Sequence, residues 1–359
     1  MRPVLRTGLG LWFGVLSCLF CWTFSSSLWA ADTPLRMASF NIQVFGQSKM
    51  AKSPVVATLL RILDRYDLVF IMEIRDSDNT AIYDLLNRLN QESAKNYQII
   101  VSERLGRSDS KEQYAYIYNP DKVTPDQYYV YNDVGDKFER EPYVAHFRAG
   151  SEEFTMIGIH TTPSGVAGEL HALPAVYSEA KQKLGTGNVF IMGDFNADCS
   201  YYRQADGFDF FPDAVTPMVR DGMDTTVANT LCTYDRVLAF GQLPRLATAA
   251  APFNFQQQFG LAQSDALLVS DHFPVEWTLM TRSDAAAEPA PQPLPTPAPQ
   301  PIPTPAPTPV IIADPAPIGS PTVPAANKCG VNPTLTPGGY CYAELPQGRR
   351  RVANACCPH

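Results

Sequence analysis

Ile191-Met192-Gly193-Asp194-Phe195-Asn196-Ala197-Asp198 is an apolar run that breaks off abruptly into carboxylate and amide oxygens. From Asn188 to Met192 the run reads as a strand. The oxygens at its end are acceptors suited to a hard cation. Ser270-Asp271-His272-Phe273-Pro274-Val275 is a second such site, placed just before another apolar run, and it adds an imidazole. Working outward, the same arrangement recurs. Asn41 follows Met37-Ala38-Ser39-Phe40, Glu73 ends Val69-Phe70-Ile71-Met72, and His160 ends Met156-Ile157-Gly158-Ile159. Asp235 sits in Cys232-Thr233-Tyr234-Asp235-Arg236. Any one of these alone reads equally well as a turn or capping residue. Their joint occurrence in this order is far more specific.

The segment between them, residues 33–282, reads as one domain of alternating strands and helices. Strands are predicted at Arg36–Val44, Leu68–Met72, Tyr97–Val101, Gln113–Tyr118, Phe154–His160, Asn188–Met192, Arg236–Phe240 and Pro274–Leu279. Ser53-Pro54 predicts a helix start, serine as N-cap and proline first in the helix. Val55, Val56, Leu59, Ile62 and Leu63 give that helix one apolar face. Further helices are predicted over Thr80–Leu89 and Val166–Leu184. Many strands with interspersed helices argue for an α/β (α+β) fold, two sheets packed face to face and covered by helices.

The chain has 359 residues, 45% hydrophobic and 18% charged, which is ordinary globular composition. Residues 1–30 read as a secretory signal peptide. Arg2 and Arg6 precede an apolar stretch from Gly8 to Phe24, and Leu28-Trp29-Ala30-Ala31 offers a small-residue cleavage site. An uncleaved membrane anchor and a lipid at Cys18 are the alternatives. Without this segment no transmembrane span is expected, and the protein is expected to be secreted, extracellular or periplasmic. The formal charge of −8 becomes about −10 once two arginines leave. A chain this acidic is a poor generic polyanion binder, so affinity for nucleic acid would have to come from local arginines and bound cations.

Composition changes after the domain. Residues 283–327 read as an extended proline-rich linker: fifteen prolines fall between Pro289 and Pro324, with Thr-Pro-Ala-Pro at 296–299 and 304–307. Proline removes backbone donors, and few large apolar residues remain to build a core. A polyproline II spacer here would reach roughly 100 Å. Residues 328–359 form a small module with Cys329, Cys341, Cys356 and Cys357. It is too small for a core of its own, so disulfides are expected, with a four-cysteine zinc site as the alternative. Arg349-Arg350-Arg351 reads first as a solvated loop, and second as attachment to a surface or polyanion.

Several runs bring a family into view. They are Phe40-Asn41-Ile42, Met72-Glu73-Ile74-Arg75-Asp76, Val101-Ser102-Glu103-Arg104-Leu105-Gly106-Arg107, Lys111-Glu112-Gln113-Tyr114 and Arg140-Glu141-Pro142. Gly193-Asp194-Phe195-Asn196, Cys232-Thr233-Tyr234-Asp235-Arg236 and Ser270-Asp271-His272 complete the set. From about Leu35 to Leu279 the chain resembles the deoxyribonuclease I branch of the endonuclease/exonuclease/phosphatase superfamily. The Gly-Asp-Phe-Asn and Ser-Asp-His runs belong to the superfamily as a whole. The Leu-Gly-Arg run followed by Lys-Glu, with Cys199 and Cys232, points to the branch.

The resemblance implies a four-layer sandwich of two mixed sheets flanked by helices, with the site at one edge between the sheets, and a Cys199–Cys232 disulfide. It also implies a secreted, divalent-metal-dependent endonuclease that cleaves double-stranded DNA, largely sequence-tolerant, and leaves 5′-phosphate ends. Phosphodiester hydrolysis needs a proton acceptor, a proton donor and stabilisation of charge on phosphorus. His272 oriented by Asp235 is the candidate base, and His160 paired with Glu112 the candidate acid; the reverse assignment stays open. Asp194 and Asn196 complete the catalytic group. Glu73 and Asp271 are the expected ligands of Mg2+ or Mn2+, with one or two ions left open. Arg75, Arg140 and Asn41 are the expected DNA contacts. Two loops resemble Ca2+ sites: Asp224, Thr226, Ala228 and Thr230, and Asp133, Asp136, the Phe138 carbonyl and Glu141.

Two departures stand out. The family's groove-packing tyrosine corresponds to Ser110 here, which removes one stacking contact. The loop Asn132-Asp133-Val134-Gly135-Asp136 is short and has no cysteine, which weakens the second Ca2+ assignment. A monomer is expected. The alternatives are a sphingomyelinase-like or other phosphodiesterase of the superfamily, and a non-catalytic binding or toxin module on the same fold.

Overall fold

The computed structural model describes residues 32–282, apart from 108, 204 and 205, together with 334–335, 341–345 and 348–351. The expected signal peptide and most of the expected linker and tail lie outside the described residues. In chain order the strands of the main unit are β1 (Asp32–Phe45), β2 (Leu68–Ile74), β3 (Gln98–Val101), β4 (Gln113–Tyr118), β5 (Thr124–Val130) and β6 (Tyr143–Ala149). They continue with β7 (Glu152–His160), β8 (Val189–Asp194), β9 (Thr216–Pro217), β10 (Asp235–Ala239), β11 (Ala251–Pro252) and β12 (Val275–Arg282). The helices are α1 (Gln47–Met50), α2 (Ser53–Leu63), α3 (Ala81–Glu92), α4 (Val166–Leu184), α5 (Leu243–Leu246), α6 (Phe255–Phe259) and α7 (Gln263–Val269).

The strands form two six-stranded sheets, ordered β11-β12-β1-β2-β4-β3 and β5-β6-β7-β8-β10-β9. Each is antiparallel except for one central parallel pair, β1 with β2 and β7 with β8. A parallel pair needs a crossover. The chain supplies α1 and α2 for the first and α4 for the second.

Strand periodicity divides the apolar residues among three layers. Leu68, Phe70 and Met72 face the other sheet, where they meet Phe147, Phe154, Met156, Phe190 and Met192. Val69 and Ile71 face the opposite way and pack with Leu59, Ile62, Leu85 and Val269 of the covering helices. On the outer face of the second sheet, Ile157, Ile159 and Ile191 pack with Leu170, Leu173 and Val176 of α4. The result is helix, sheet, sheet, helix, the four-layer arrangement expected from the resemblance.

Three expectations change in detail. Ser53 begins α2 rather than capping it: Lys52 is the N-cap, with no side-chain cap bond, and Pro54 falls in the first turn. Asp32–Phe45 is longer than the expected Arg36–Val44 because its first residues pair with β12 through Asp32↔Arg282. β5 and β6 carry no strand expectation from sequence. β5 is an edge strand with Pro125 and a register shift, a place where proline and polar residues are tolerated and the apolar signal is weak.

The described part of the second unit, which spans Pro293–His359, is a three-stranded sheet of β13 (Thr334–Leu335), β14 (Cys341–Leu345) and β15 (Gly348–Arg351), in that order.

Candidate active site

The site is built where the stripe between the sheets stops being apolar. On β7 the inward positions Phe154, Met156 and Gly158 continue to His160. On β8, Phe190 and Met192 continue to Asp194. On β10, Ala239 and Val237 lead back to Asp235. These three strands are neighbours, and register places His160 opposite Asp194 and Asp194 opposite Asp235. One row across the second sheet thus carries an imidazole and two carboxylates. Gly193 makes this row attainable. Its φ is +145°, and a Cβ there would fall 1.8 Å from the Ile159 carbonyl oxygen.

The first sheet contributes from across the cleft. Asn41 ends the inward face of β1 and is fully buried. Its amide donates to Glu73 Oε1 at 3.0 Å and to Asp194 Oδ2 at 3.2 Å. Glu73 sits at a break in β2, with φ +61° and a register shift between Ile71 and Ile74. The break sends Ile74 to the helix side. The Val44 N–H donates to the other Glu73 oxygen at 2.8 Å. Asp271 and His272 arrive from the turn after α7. Ser270 fixes that turn, donating its hydroxyl to the Asn41 carbonyl at 2.7 Å and accepting the His272 N–H at 3.0 Å.

Two imidazole–carboxylate pairs result. His272 Nδ1 is 2.7 Å from Asp235 Oδ2, and His160 Nδ1 is 3.1 Å from Glu112 Oε2. The Nε2 atoms of His272 and His160 lie 3.4 and 3.5 Å from the same oxygen, Asp194 Oδ2. Asn196 steadies this carboxylate: its N–H donates to Asp194 Oδ1 at 3.0 Å, and its amide donates to the Thr161 carbonyl at 3.0 Å.

Charge follows the geometry. Burial alone would discharge His272, but Asp235 and Asp194 outweigh it and hold the imidazole well above its ordinary range. Burial raises Asp235. Burial would raise Asp194 and Glu112 too, but both end up lowered: Asp194 by the charges of His272 and His160, Glu112 by its hydrogen bond to His160 and by His160, Arg140 and Arg75. Asp194, Asp235 and His272 bring potential ligand atoms within 4.8 Å of one another and could hold a metal ion.

The other expected residues are placed as follows. Arg75 is exposed. Arg140 is largely buried, donating to the His160 and Thr161 carbonyls at 3.1 and 3.2 Å, with Glu112 3.5 Å away. Asn41 is fully buried within the site. Asp224, Thr226 and Thr230 are brought together: the Thr226 hydroxyl donates to Asp224 Oδ1 at 2.8 Å or to the Thr230 carbonyl at 2.7 Å, while Ala228 is exposed in the same loop. Thr226 also bridges to His272. In the other loop, Asp133 accepts the Phe138 N–H at 2.8 Å, Asp136 pairs with Arg107 at 2.9 Å, and Asp133 and Glu141 line one groove. Cys199 and Cys232 are joined in a disulfide.

The sequence reading missed Lys49. This lysine of α1 is buried, and its ammonium donates to the carbonyls of Ile42, Gln43 and Val269. A lysine in a four-residue helix gives no sequence signal of burial. Only the chain segments folded around it reveal the role.

Residues 38–272 match the model of the Endonuclease/Exonuclease/phosphatase family. Deoxyribonuclease-1 of Sus scrofa is 42% identical over 259 residues, covering 68% of this chain and 91% of that protein. Deoxyribonuclease-1 of Homo sapiens is 39% identical over 256 residues, covering 67% and 91%. The chain belongs to the endonuclease/exonuclease/phosphatase family, in its deoxyribonuclease-1 branch. The fold agrees: the crystal structure of the endonuclease/exonuclease/phosphatase from Bacteroides vulgatus superposes with a TM-score of 0.51 at 15% identity, covering 70% of this chain and all of that one. The family match runs from Ala38, on β1, to His272, so it spans both sheets and both imidazole pairs. Among the described residues no helix is long and apolar enough to cross a membrane.

Proposed function

We propose that this protein is a secreted, divalent-metal-dependent endonuclease that hydrolyses double-stranded DNA and leaves 5′-phosphate ends. The observation that carries the reading is the convergence of two carboxylate-backed imidazoles on one oxygen of Asp194. Each imidazole has its Nδ1 engaged, so each offers Nε2 to the cleft. Two such groups give phosphodiester hydrolysis its acceptor and its donor.

His272 is assigned as the base that takes the proton of the attacking water. His160 is assigned as the acid. As the P–O3′ bond breaks and the new P–O bond forms, His160 delivers its Nε2 proton to the departing O3′. Asp235 and Glu112 fix the ring orientations and stabilise the imidazolium forms. Arg75, exposed and near enough to act on the charge of Glu112, is assigned to meet a phosphate. An arginine there senses groove shape and potential rather than a base code, which accords with sequence-tolerant cleavage.

Glu73 and Asp271 fit a Mg2+ or Mn2+ ion. Asp271 Oδ1 is buried without a hydrogen-bond partner, and an all-oxygen donor set suits such a cation. When bound, the ion would supply Lewis acidity to the phosphate and positive charge that loosens the proton on His272. The Asp224–Thr230 loop is assigned to Ca2+. Its bridge to His272 gives a cation there a structural route to the site. The loop of Asp133, Asp136, Phe138 and Glu141 is the weaker Ca2+ assignment, since Arg107 already neutralises Asp136. The N-terminal signal-like segment and the disulfide support secretion.

The test is nicking of supercoiled plasmid DNA by the protein and by its H160A and H272A variants, with Mg2+ and Ca2+ and then with chelator. Metal-dependent nicking lost in both variants is expected. Intact plasmid under every condition would overturn the reading and move attention to sphingomyelin as substrate.

A further inference from the structure

The proposed cation site is divided between two stretches of chain that are far apart in sequence. One is the end of β1, where Asn41 and the Val44 N–H hold the two oxygens of Glu73. The other is the end of α7 with the turn after it, which carries Asp271. Nothing in either stretch alone sets the distance between them. The end of β1 is also poorly self-supporting: Gln43 and Val44 both have φ of +46°, a left-handed conformation that costs free energy in residues with a Cβ.

The Lys49 ammonium sits between the two stretches. It donates to the Ile42 carbonyl at 3.0 Å and to the Gln43 carbonyl, both in the first, and to the Val269 carbonyl at 2.9 Å, in the second. An ammonium has three protons and no acceptor, so all three donors are matched. Asp271 and Glu73 both act on its charge, so they share its neighbourhood. Ser270, bonded to the Asn41 carbonyl, is a second tie between the same stretches.

We infer that Lys49 is a positioning residue that clips the end of β1 to the end of α7 and so sets the spacing of Glu73 and Asp271. The inference rests on the proposal that these two carboxylates hold the divalent cation. Lys49 touches neither substrate nor cation. Without it, two buried carbonyls and the part-buried Gln43 carbonyl lose their donor, and the carboxylates lose the positive charge that restrains their mutual repulsion. The ammonium's repulsion of an incoming cation acts through space and is the smaller effect, because the three hydrogen bonds are direct.

The experiment is a Mn2+ titration read by the paramagnetic resonance of free Mn2+, on the full protein and its K49M, K49Q and K49R variants. E73Q marks the site, and L85A, a truncation in the helix-side core, controls for lost stability. DNA cleavage is measured beside it. K49M is expected to bind Mn2+ at least tenfold more weakly and to lose kcat to the same degree, with KM for DNA within about twofold. K49R should recover part of both, K49Q should fall between, and L85A should bind Mn2+ as the parent does. Should K49M fail to fold, K49Q decides, with a loss of threefold or more expected. Mn2+ affinity unchanged in K49M or in a folded K49Q, or tightened in either, would overturn the role of Lys49 and leave the cation site standing. A parent protein whose Mn2+ binding is indifferent to E73Q would overturn both.

Discussion

His160 and His272 both approach one oxygen of Asp194, with Nε2 atoms at 3.5 and 3.4 Å. Asp194 is therefore the hub of the site, and its negative charge is what the two imidazoles share. Asp194→Asn keeps the shape and removes the charge. The variant is expected to fold and to lose about 10²- to 10⁴-fold in kcat, the range for disabling a proton-transfer group. Plasmid nicking rates beside an unfolding curve check this. Activity within threefold of the parent would remove Asp194 from the chemistry.

Asp235 and Asp194 raise the His272 imidazole well above its ordinary value of 6.5 despite its burial. A raised imidazole contributes stability that is complete below its unfolded pKa and is lost as pH rises through the folded one. In the metal-free protein at neutral pH, His272 is therefore expected to be an imidazolium. Adding Mg2+ should release that proton and expose the base. NMR of the imidazole carbons, in chelator and then in Mg2+, reads both states. Asp235→Asn should bring the ring down into the ordinary histidine range and cut cleavage at neutral pH by at least a hundredfold.

Glu112 presents the opposite sign. Its bond to His160, and the charges of His160, Arg140 and Arg75, lower its pKa from 4.5. Stability from such a carboxylate is present above its unfolded pKa and is lost as pH falls through the folded one. Glu112→Gln is expected to flatten the acid side of the stability curve below about pH 4.5. At pH 7 the variant should be less stable by about 1–3 kcal/mol, the scale for losing a charged hydrogen bond. Urea unfolding at pH 3.5 and 7 separates the two effects.

The polar row was legible in sequence because strand alternation is local. An apolar stripe that ends in His160, Asp194 or Asp235 announces a polar strand end wherever the strand lies. The resemblance then supplied the pairing of Glu112 with His160, which separation along the chain hides. What stayed illegible was held by tertiary context. The break at Glu73 depends on a left-handed φ that glutamate rarely adopts. Lys49 is buried by segments around residues 42 and 269. Asn41 was expected at DNA, yet its amide bonds Glu73 beside it in the first sheet and Asp194 across the cleft. Arg140 reads as a surface cation until β7 supplies carbonyls for it.

Gly158 tests how closely the sheets must approach for Asn41 and Glu73 to meet the row. It lies one inward position before His160, and a Cβ there would fall 2.1 Å from the Phe70 ring of the facing sheet. Phe70 is itself packed on Tyr114 and Tyr116, with ring centroids 5.3 and 5.0 Å away, so the ring has little room to retreat. Gly158→Ala is expected to cost about 3 kcal/mol, the upper end for inserting a methyl into a packed core. Any residual separation of the sheets would move His160 and Asp194 together away from Asn41 and Glu73, so kcat should fall as well. Phe70→Leu makes room at the same spot. The double variant G158A/F70L should therefore be more stable than the sum of the single losses, by about 1 kcal/mol or more of favourable coupling. Simple additivity in urea unfolding would show that Gly158 is not what sets the spacing between the sheets.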